Sequence, residues 1–441
     1  MKNKLTWSKF CIKAKLANDN ILIKNTLTGS IITMSQENEL VFTKWINGKS
    51  KDTPHGINSL THKDIGILVP KNYDEYGIWR EHLINYRNNA AHIFTLYFLP
   101  TLQCQFRCSY CFENGISRGA GMGSKIIGES REWIDQYLDN HPEIDTFRLV
   151  LFGGEPLLYK SIVEEGLNTF HSVTHKHKLK FWTGLTSNGE YLDEKTANML
   201  SRYNWEKVQI TLDGPKDVHD SRRYGNNQRP TFDLIIKNIQ MLLRTSYIPK
   251  INIRISFDLS NADRVPELIR YLATIDKANR INLSLGLITP NLHNQNKAEN
   301  ERTISKKALV AWKLAKSLGF EIPEEFIVGP WCVAIAKHSA ILQPSGALQK
   351  CFCTVGRKKY DFGSIKNQPN GNYLKDSRFE HFYRTDGCIK EGCQYLPMCG
   401  GGCIYDAIVA NKGQRGFDKR FCQKTLLAEI NIGLLKLHYN S

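Results

Sequence analysis

The sequence predicts an α/β protein in which a partial (β/α)6 barrel lies between a small N-terminal α+β domain and a cysteine-rich C-terminal domain. Three observations predict it. Short β-rich runs ending in Gly, Asn or Asp alternate with helical stretches at intervals of about 30 residues, the mark of βαβ units and a parallel sheet. The residues before them follow another order, with strands first and helices after. Eleven of the 12 cysteines fall in two dense groups, one where the alternation starts and one after it ends. The expected divisions are residues 1–92, 93–310 and 311–441.

In the N-terminal part, FCIKAKL and ILIKNTLTGSIITMS read as strands, with NDN and TGS as turns. ENELVFTKWINGKS places apolar residues at helical spacing and stops at Gly48. KSKDTPHGINS is a polar turn or wing, and YDEYGIWREHLINYRNN a second helix. Cys11, alone in an alternating stretch, reads as a small strand residue.

HIFTLYFLP, FRLVLFGG, KFWTGLTSNG, KVQITLDG, INIRISFDL and INLSLGLI are the six strands of the alternating region. SKIIGESREWIDQYLDN, EKTANMLSRYN, TFDLIIKNIQMLLRTS and VPELIRYLATIDKAN are among its helices. Six parallel strands make an open, TIM-like part-barrel, in which chemistry gathers at the carboxyl ends of strands. A cysteine run and the sequences GGEP, SNG and LDG all fall at such ends. The polar stretch TPNLHNQNKAENERTIS reads as a linker into the helix KKALVAWKLAKSLG.

A hydrophobic fraction of 41% with 10% aromatics supports buried cores. No apolar run reaches the roughly 18 residues of a membrane span, and MKNKLTWSKFCIKAK lacks the apolar centre of a signal peptide. A cytoplasmic protein is expected. The net charge of +16 is spread along the chain and not gathered in one arm, which disfavours nucleic acid and suits an acidic peptide partner. A long chain with no export signal does not read as a disulfide framework, so the cysteine groups read as metal ligands.

In TLQCQFRCSYCFENG, Cys104, Cys108 and Cys111 are spaced by three residues and then two. Zinc takes four ligands, normally as two close pairs, and no fourth Cys or His lies near. Iron–sulfur clusters also usually take four cysteines. Three thiolates fit three irons of a four-iron cluster and leave the fourth iron open to an outside ligand. In LFGGEPLL, Gly153 and Gly154 can let a ligand approach the backbone, Glu155 suits an ammonium group, and Pro156 stiffens the turn. The second group holds Cys332, Cys351, Cys353, Cys388, Cys393, Cys399, Cys403 and Cys422, or two sets of four. Two zinc sites are the alternative reading of that group.

The triplet and GGEP resemble the radical S-adenosylmethionine (radical SAM) superfamily. The resemblance spans roughly residues 93–290. It implies that the open iron chelates the amino and carboxylate groups of the methionine moiety. One electron then cleaves the sulfonium, and a 5′-deoxyadenosyl radical takes a hydrogen atom from a substrate. Cys104, Cys108 and Cys111 match the cluster ligands, and Gly153, Gly154 and Glu155 the segment that holds the methionine amine. Ser187 in TSNG matches a hydroxyl position near the methionine or ribose. Thr211 in QITLDGP matches a second, where the family usually has Ser. Arg223 in HDSRRY matches an Arg that approaches the carboxylate, and LSLGLI the adenine-side backbone. Asp213 reads as a turn residue.

The second cysteine group, with GALQKC placing Gly346 before Cys351, resembles the SPASM extension of peptide- and protein-modifying radical SAM enzymes. That resemblance implies two auxiliary four-iron clusters, hence three [4Fe-4S] clusters in all. Cys388, Cys393, Cys399 and Cys422 match the outer set, and Cys332, Cys351, Cys353 and Cys403 the inner one. Two departures stand out. Four residues separate Cys388 from Cys393 where the family more often has two, and the stretch from Cys332 to Cys351 is long. If Cys332 or Cys353 is free, the inner cluster keeps an open iron. Auxiliary clusters can accept the electron left after hydrogen abstraction, which fits a net oxidation.

The first 92 residues resemble, in strand-and-helix order, the winged-helix-like leader-binding domain of peptide-maturing enzymes; an N-terminal cap on the barrel is the other reading. The resemblance implies a precursor peptide with a leader and a flavodoxin- or ferredoxin-type reductant. In sulfatase maturases an Asp that acts as a base follows the Gly-x4-Cys cysteine; here Phe352 follows Cys351. The expected function is therefore a peptide maturase that closes a thioether or carbon–carbon crosslink, with no general base assigned. Formylglycine formation, a non-catalytic zinc protein, an electron-transfer protein and a nucleic-acid-modifying enzyme remain as alternatives.

Overall fold

The structure is a computed structural model describing residues 5–61, 64–288, 296–328, 332–367, 374, 385–410 and 421–439. The N-terminal part holds strands β1 (Leu5–Trp7), β2 (Cys11–Lys15), β3 (Asn20–Asn25), β4 (Ile31–Ser35) and β5 (Leu68–Pro70). Strands β2, β3 and β4 form an antiparallel sheet in that order, and β1 pairs antiparallel with β5. The Ser35 side chain caps the helix Gln36–Ile46 by accepting from the Asn38 N–H. The sequence reading missed the β1–β5 pair, because three-residue strands are too short to show alternation. The stretch read as a wing leads into a short helix, Ile57–Leu60, with Gly56 before it in the left-handed region.

Alternation along the strands gives the N-terminal sheet two buried faces. Cys11 and Ile23 pack with Phe42, Trp45 and Ile46 of the first helix. Ile12 and Leu22, with Trp79 and Leu83, pack on Cys388, Cys393, Tyr395, Leu396 and Leu427 of the C-terminal part. Polar ties reinforce this contact: Thr26 Oγ1 donates to the Gln394 carbonyl at 2.7 Å, and Lys24 pairs with Glu325 at 2.9 Å.

The alternating region forms β6 (Ile93–Phe98), β7 (Thr146–Leu151), β8 (Lys180–Ser187), β9 (Trp205–Thr211), β10 (Ile251–Phe257) and β11 (Ile281–Leu287). All six are parallel and adjacent in chain order, as the strand–helix alternation predicts. On β7, Phe147, Leu149 and Leu151 are fully buried against the helical layer, while Arg148 turns to the other side of the sheet. Helices Ser124–Asp139 and Lys160–Lys176 pack side by side in that layer.

The sheet does not stop at β6. Strand β12 (Ser339–Leu342) pairs parallel with β6, and β13 (Ala347–Gln349) and β14 (Gly363–Ser364) follow antiparallel. The nine-stranded sheet ends in β11 and β14, which do not meet, so the barrel is open. The stretch read as a linker is mostly helix: Lys297–Ser317 carries Glu301, Ile304, Ala308, Ala311, Trp312 and Ala315 buried along one face. Its polar first turns hid that spacing, and residues 289–295 of the stretch lie outside the described residues. The join expected at 310/311 falls inside this helix, which packs on both Val265–Ile275 and Lys424–Tyr439.

Leu149 is a sharp probe of this core. Leu149→Ala should lower stability by about 2–5 kcal/mol through cavity formation, read as a lower apparent melting temperature. Val310→Ser, at a position 60% exposed, should stay within about 0.5 kcal/mol.

Candidate active site

The loop after β6 carries Cys104, Cys108 and Cys111, all partly buried. GGEP follows β7, and the two segments touch through their backbones. Gly154 N donates to Thr101 O at 3.2 Å and Glu155 N to Gln103 O at 2.8 Å. Gly153 has φ +117°, and a Cβ there would lie 2.5 Å from Thr101 O; one on Gly154 would overlap Gln103 O. The sequence reading took these glycines as room for a ligand. In the structure the space is filled by the cysteine loop's own main chain.

Glu155 is fully buried at the end of β7. Its Oε1 accepts from Leu157 N at 3.0 Å and from Ser187 Oγ at 2.9 Å, and its Oε2 from Asn188 N at 2.7 Å. A carboxylate offers about four acceptor positions, so one on Oε2 stays available for an ammonium group. Burial pushes the Glu155 carboxyl up to about 7, against the pull of these hydrogen bonds and of Arg223. Ser187 therefore acts on the carboxylate first, and its Oγ also accepts from Gly189 N. Asn188, which the sequence reading passed over, places Nδ2 3.8 Å from Cys104 Sγ.

Past β9 lies a buried ionic group. Thr211 closes that strand opposite Arg254 of β10 and is buried. Asp213, read from sequence as a turn residue, is fully buried and accepts from Arg222 Nε at 3.2 Å. Arg222 also grips Asp258, with Nη2 to Oδ2 at 3.1 Å, and lies over the Tyr110 ring at 5.0 Å. Arg223 donates from Nη1 to Tyr110 Oη at 2.8 Å, while its buried Nε makes no hydrogen bond among the described residues. Burial works against the Arg223 charge, but Cys108, Tyr110 and Asp213 around it hold its pKa well above the ordinary value. Burial also pushes the Cys104 thiol up to about 12, with Glu155 adding to the rise. Glu113, two residues past Cys111, is buried with its carboxyl pushed up to about 7 by burial, and no sequence pattern marked it.

The eight later cysteines gather in two places, and Cys403 joins the earlier ones although it lies between Cys399 and Cys422 in the chain. Cys388, Cys393, Cys399 and Cys422 line one small cavity together with Tyr395 and Leu396. Cys332, Cys351, Cys353 and Cys403 form the other set, close enough that each feels the charge of others in the set. Phe352, between Cys351 and Cys353, packs against Tyr97 at 4.4 Å and Phe152 at 4.8 Å. Phe152 in turn stacks on Phe112, next to Cys111, at 6.3 Å.

Residues 98–272 match the Radical SAM superfamily. The chain carries a radical SAM domain. It is 22% identical over 328 residues to a cysteine-type anaerobic sulfatase-maturating enzyme of Clostridium perfringens, covering 68% of this chain and 85% of that protein. It is 24% identical over 391 residues to the radical SAM cyclopropyl synthase TigE of Paramaledivibacter caminithermalis, covering 79% and 76%. The structure of Streptococcus suis SuiB bound to precursor peptide SuiA shares the fold, with a TM-score of 0.51 at 13% identity over 96% of this chain and 100% of that one. Among the described residues, no helix is long and apolar enough to cross a membrane.

A radical SAM enzyme uses a [4Fe-4S] cluster and S-adenosylmethionine, and the residues here fit both. Three partly buried thiols share one loop. The open acceptor position on Glu155 suits the methionine ammonium, and the unused Arg223 Nε–H suits its carboxylate. The raised Glu155 pKa has a signed consequence. Its folded value lies above the ordinary 4.5, so its stabilising contribution is complete below about pH 4.5 and is lost as pH rises through about 7. Ammonium binding runs the other way, because it needs the ionised form. The Kd for S-adenosylmethionine should fall about tenfold per unit as pH rises toward 7 and level off above. Isothermal titration should show Glu155→Gln flat with pH, weaker than wild type near neutrality and converging with it as pH falls.

Proposed function

We propose that this chain is a peptide maturase that removes a hydrogen atom from a side chain of a ribosomally made precursor and closes an intramolecular crosslink. The observation that carries the reading is a cavity of about 570 Å3 beside β6, walled by Tyr86 of the N-terminal part, Thr95, Tyr97 and Arg148 of the barrel, and Cys332 and Phe352 of the C-terminal part. That volume suits an amino-acid side chain with its flanking backbone, and one wall is a cysteine of the inner set. Phe352 occupies the place where a carbonyl-forming enzyme of the sulfatase-maturase type needs a base, and its ring is packed against Tyr97 and Phe152.

Iron–sulfur is favoured over zinc in the later sets because the chain already carries a radical SAM domain, whose chemistry needs an iron–sulfur cluster. The buried Tyr76 hydroxyl, which makes no hydrogen bond among the described residues, stands close to Gly392 and within electrostatic reach of Cys388 and Cys393. A sulfide-rich cluster there would satisfy it.

When bound, the three clusters and S-adenosylmethionine supply a 5′-deoxyadenosyl radical and an acceptor for one electron. The protein's part is placement. Glu155, Ser187, Thr211 and Arg223 would hold the cofactor, and Tyr97 and Phe352 would pack on the reacting side chain. The leader of the precursor would add to the free edge of β4, since β2 at the other edge packs against helix Lys424–Tyr439. The positive surplus attracts an acidic leader.

Anaerobic, reconstituted and reduced protein should release 5′-deoxyadenosine, and with its precursor should give a product lighter by two hydrogens that does not react with a hydrazide. Cys393→Ala should keep 5′-deoxyadenosine release and lose at least about tenfold of the crosslink. A hydrazide-reactive product would favour formylglycine formation instead. No 5′-deoxyadenosine from cluster-loaded protein would sink the radical reading.

A further inference from the structure

Three metal-ligating side chains meet away from the cysteines, at the amino end of the strands. His141 follows helix Ser124–Asp139, Glu143 lies in the turn into β7, and His338 immediately precedes β12. His141 Nδ1 lies 3.2 Å from Glu143 Oε1, and His338 Nε2 lies 3.4 Å from the same oxygen. All three ligand atoms lie within 4.8 Å of one another. His338 is buried, His141 is 5% exposed, and Glu143 is 42% exposed.

We propose that His141, Glu143 and His338 form a binding site for a divalent transition-metal cation of the zinc class. A tetrahedral ion with bonds of about 2.0–2.1 Å to nitrogen and oxygen sets its ligand atoms about 3.3 Å apart, and the two measured separations bracket that value. Two imidazoles and one carboxylate are a donor set that zinc and iron(II) accept. Tyr137 Oη stands 2.7 Å from His338 Nδ1, the outer partner that fixes which ring nitrogen faces an ion. The exposed side of Glu143 leaves a fourth position for water.

The site is remote from the radical chemistry, so its ion acts by tethering. Thr95 N donates to the His338 carbonyl at 2.8 Å, where β12 joins β6. His338 stands six residues after Cys332, while His141 and Glu143 belong to the barrel. An ion there ties the segment that carries Cys332 to the corner between a barrel helix and β7. Nothing in the proposed peptide chemistry requires it, and the two stand or fall separately.

The test uses the full chain with its cysteine sites loaded under anaerobic conditions, given one equivalent of zinc. Zinc-edge X-ray absorption should show nitrogen and oxygen neighbours at about 2.0 Å with imidazole scattering and no sulfur shell. Glu143→Gln, at a half-exposed position, and His141→Gln should each weaken zinc binding by at least about tenfold, with the iron–sulfur absorption unchanged. A sulfur shell would place the zinc on cysteines and overturn the assignment. So would equal affinity in wild type and the Glu143→Gln variant, or no zinc retained after desalting, which would leave the triad as a hydrogen-bonded staple.

Discussion

A buried carboxylate shared by neighbouring strand ends is the constraint on which the site depends. Glu155 leaves β7, takes hydrogen bonds from Ser187 and Asn188 at the end of β8, and through its own N–H holds the loop that follows β6. A carboxylate removed from water is costly unless its oxygens are satisfied, and hydrogen bonds to a charged group contribute about 1.5–3 kcal/mol each. The three strands must therefore arrive in register for the charge to be tolerated. When they do, the cysteine loop, the Glu155 carboxylate and Asn188 come together at one point. The glycine pair serves the same end, because any side chain at Gly154 would push the cysteine loop away.

The other parts of the molecule converge on that point from outside the barrel. The C-terminal part adds β12 to the barrel sheet beside β6, and so sets Phe352 against Tyr97 and Phe152. The N-terminal part reaches the C-terminal one through a shared apolar core in which Trp79 and Ile12 meet Cys388 and Cys399. A change at the outer cysteine set is thus felt by the N-terminal sheet, and a change at the inner set by the cavity beside β6. The outer set is walled by protein on the N-terminal side, whereas Cys332 of the inner set lines a cavity large enough for a side chain.

Much of this was legible in the sequence, for reasons that can be named. The six parallel strands announce themselves because strand and helix periods differ and each strand ends on a turn residue. Cys104, Cys108 and Cys111, and Glu155 after them, stand out because their chemistry has few other uses at that spacing. What stayed hidden depends on partners far away in the chain. β12 is four residues long, and only its pairing with β6 makes it part of the sheet. Asp213 looked like a turn residue because its partner Arg222, which Asp258 also holds, comes from a later element. The helix Lys297–Ser317 begins with polar turns whose buried face appears only against Val265–Ile275 and Lys424–Tyr439. Gly153 and Gly154 read in sequence as room for a ligand, whereas what approaches them is main chain from the preceding loop.

The central claim is that the Cys104, Cys108 and Cys111 loop, with Glu155 beside it, presents an iron to the methionine end of S-adenosylmethionine. Electron–nuclear double resonance on the one-electron-reduced protein, with S-adenosylmethionine carrying 15N in its amino group, tests this most directly. The account predicts a 15N coupling to the cluster spin that disappears when Cys104, Cys108 and Cys111 are replaced by Ala together and that persists in Cys393→Ala. A reduced cluster whose spectrum does not change on adding S-adenosylmethionine, or a 15N coupling that survives loss of the three cysteines, would contradict it.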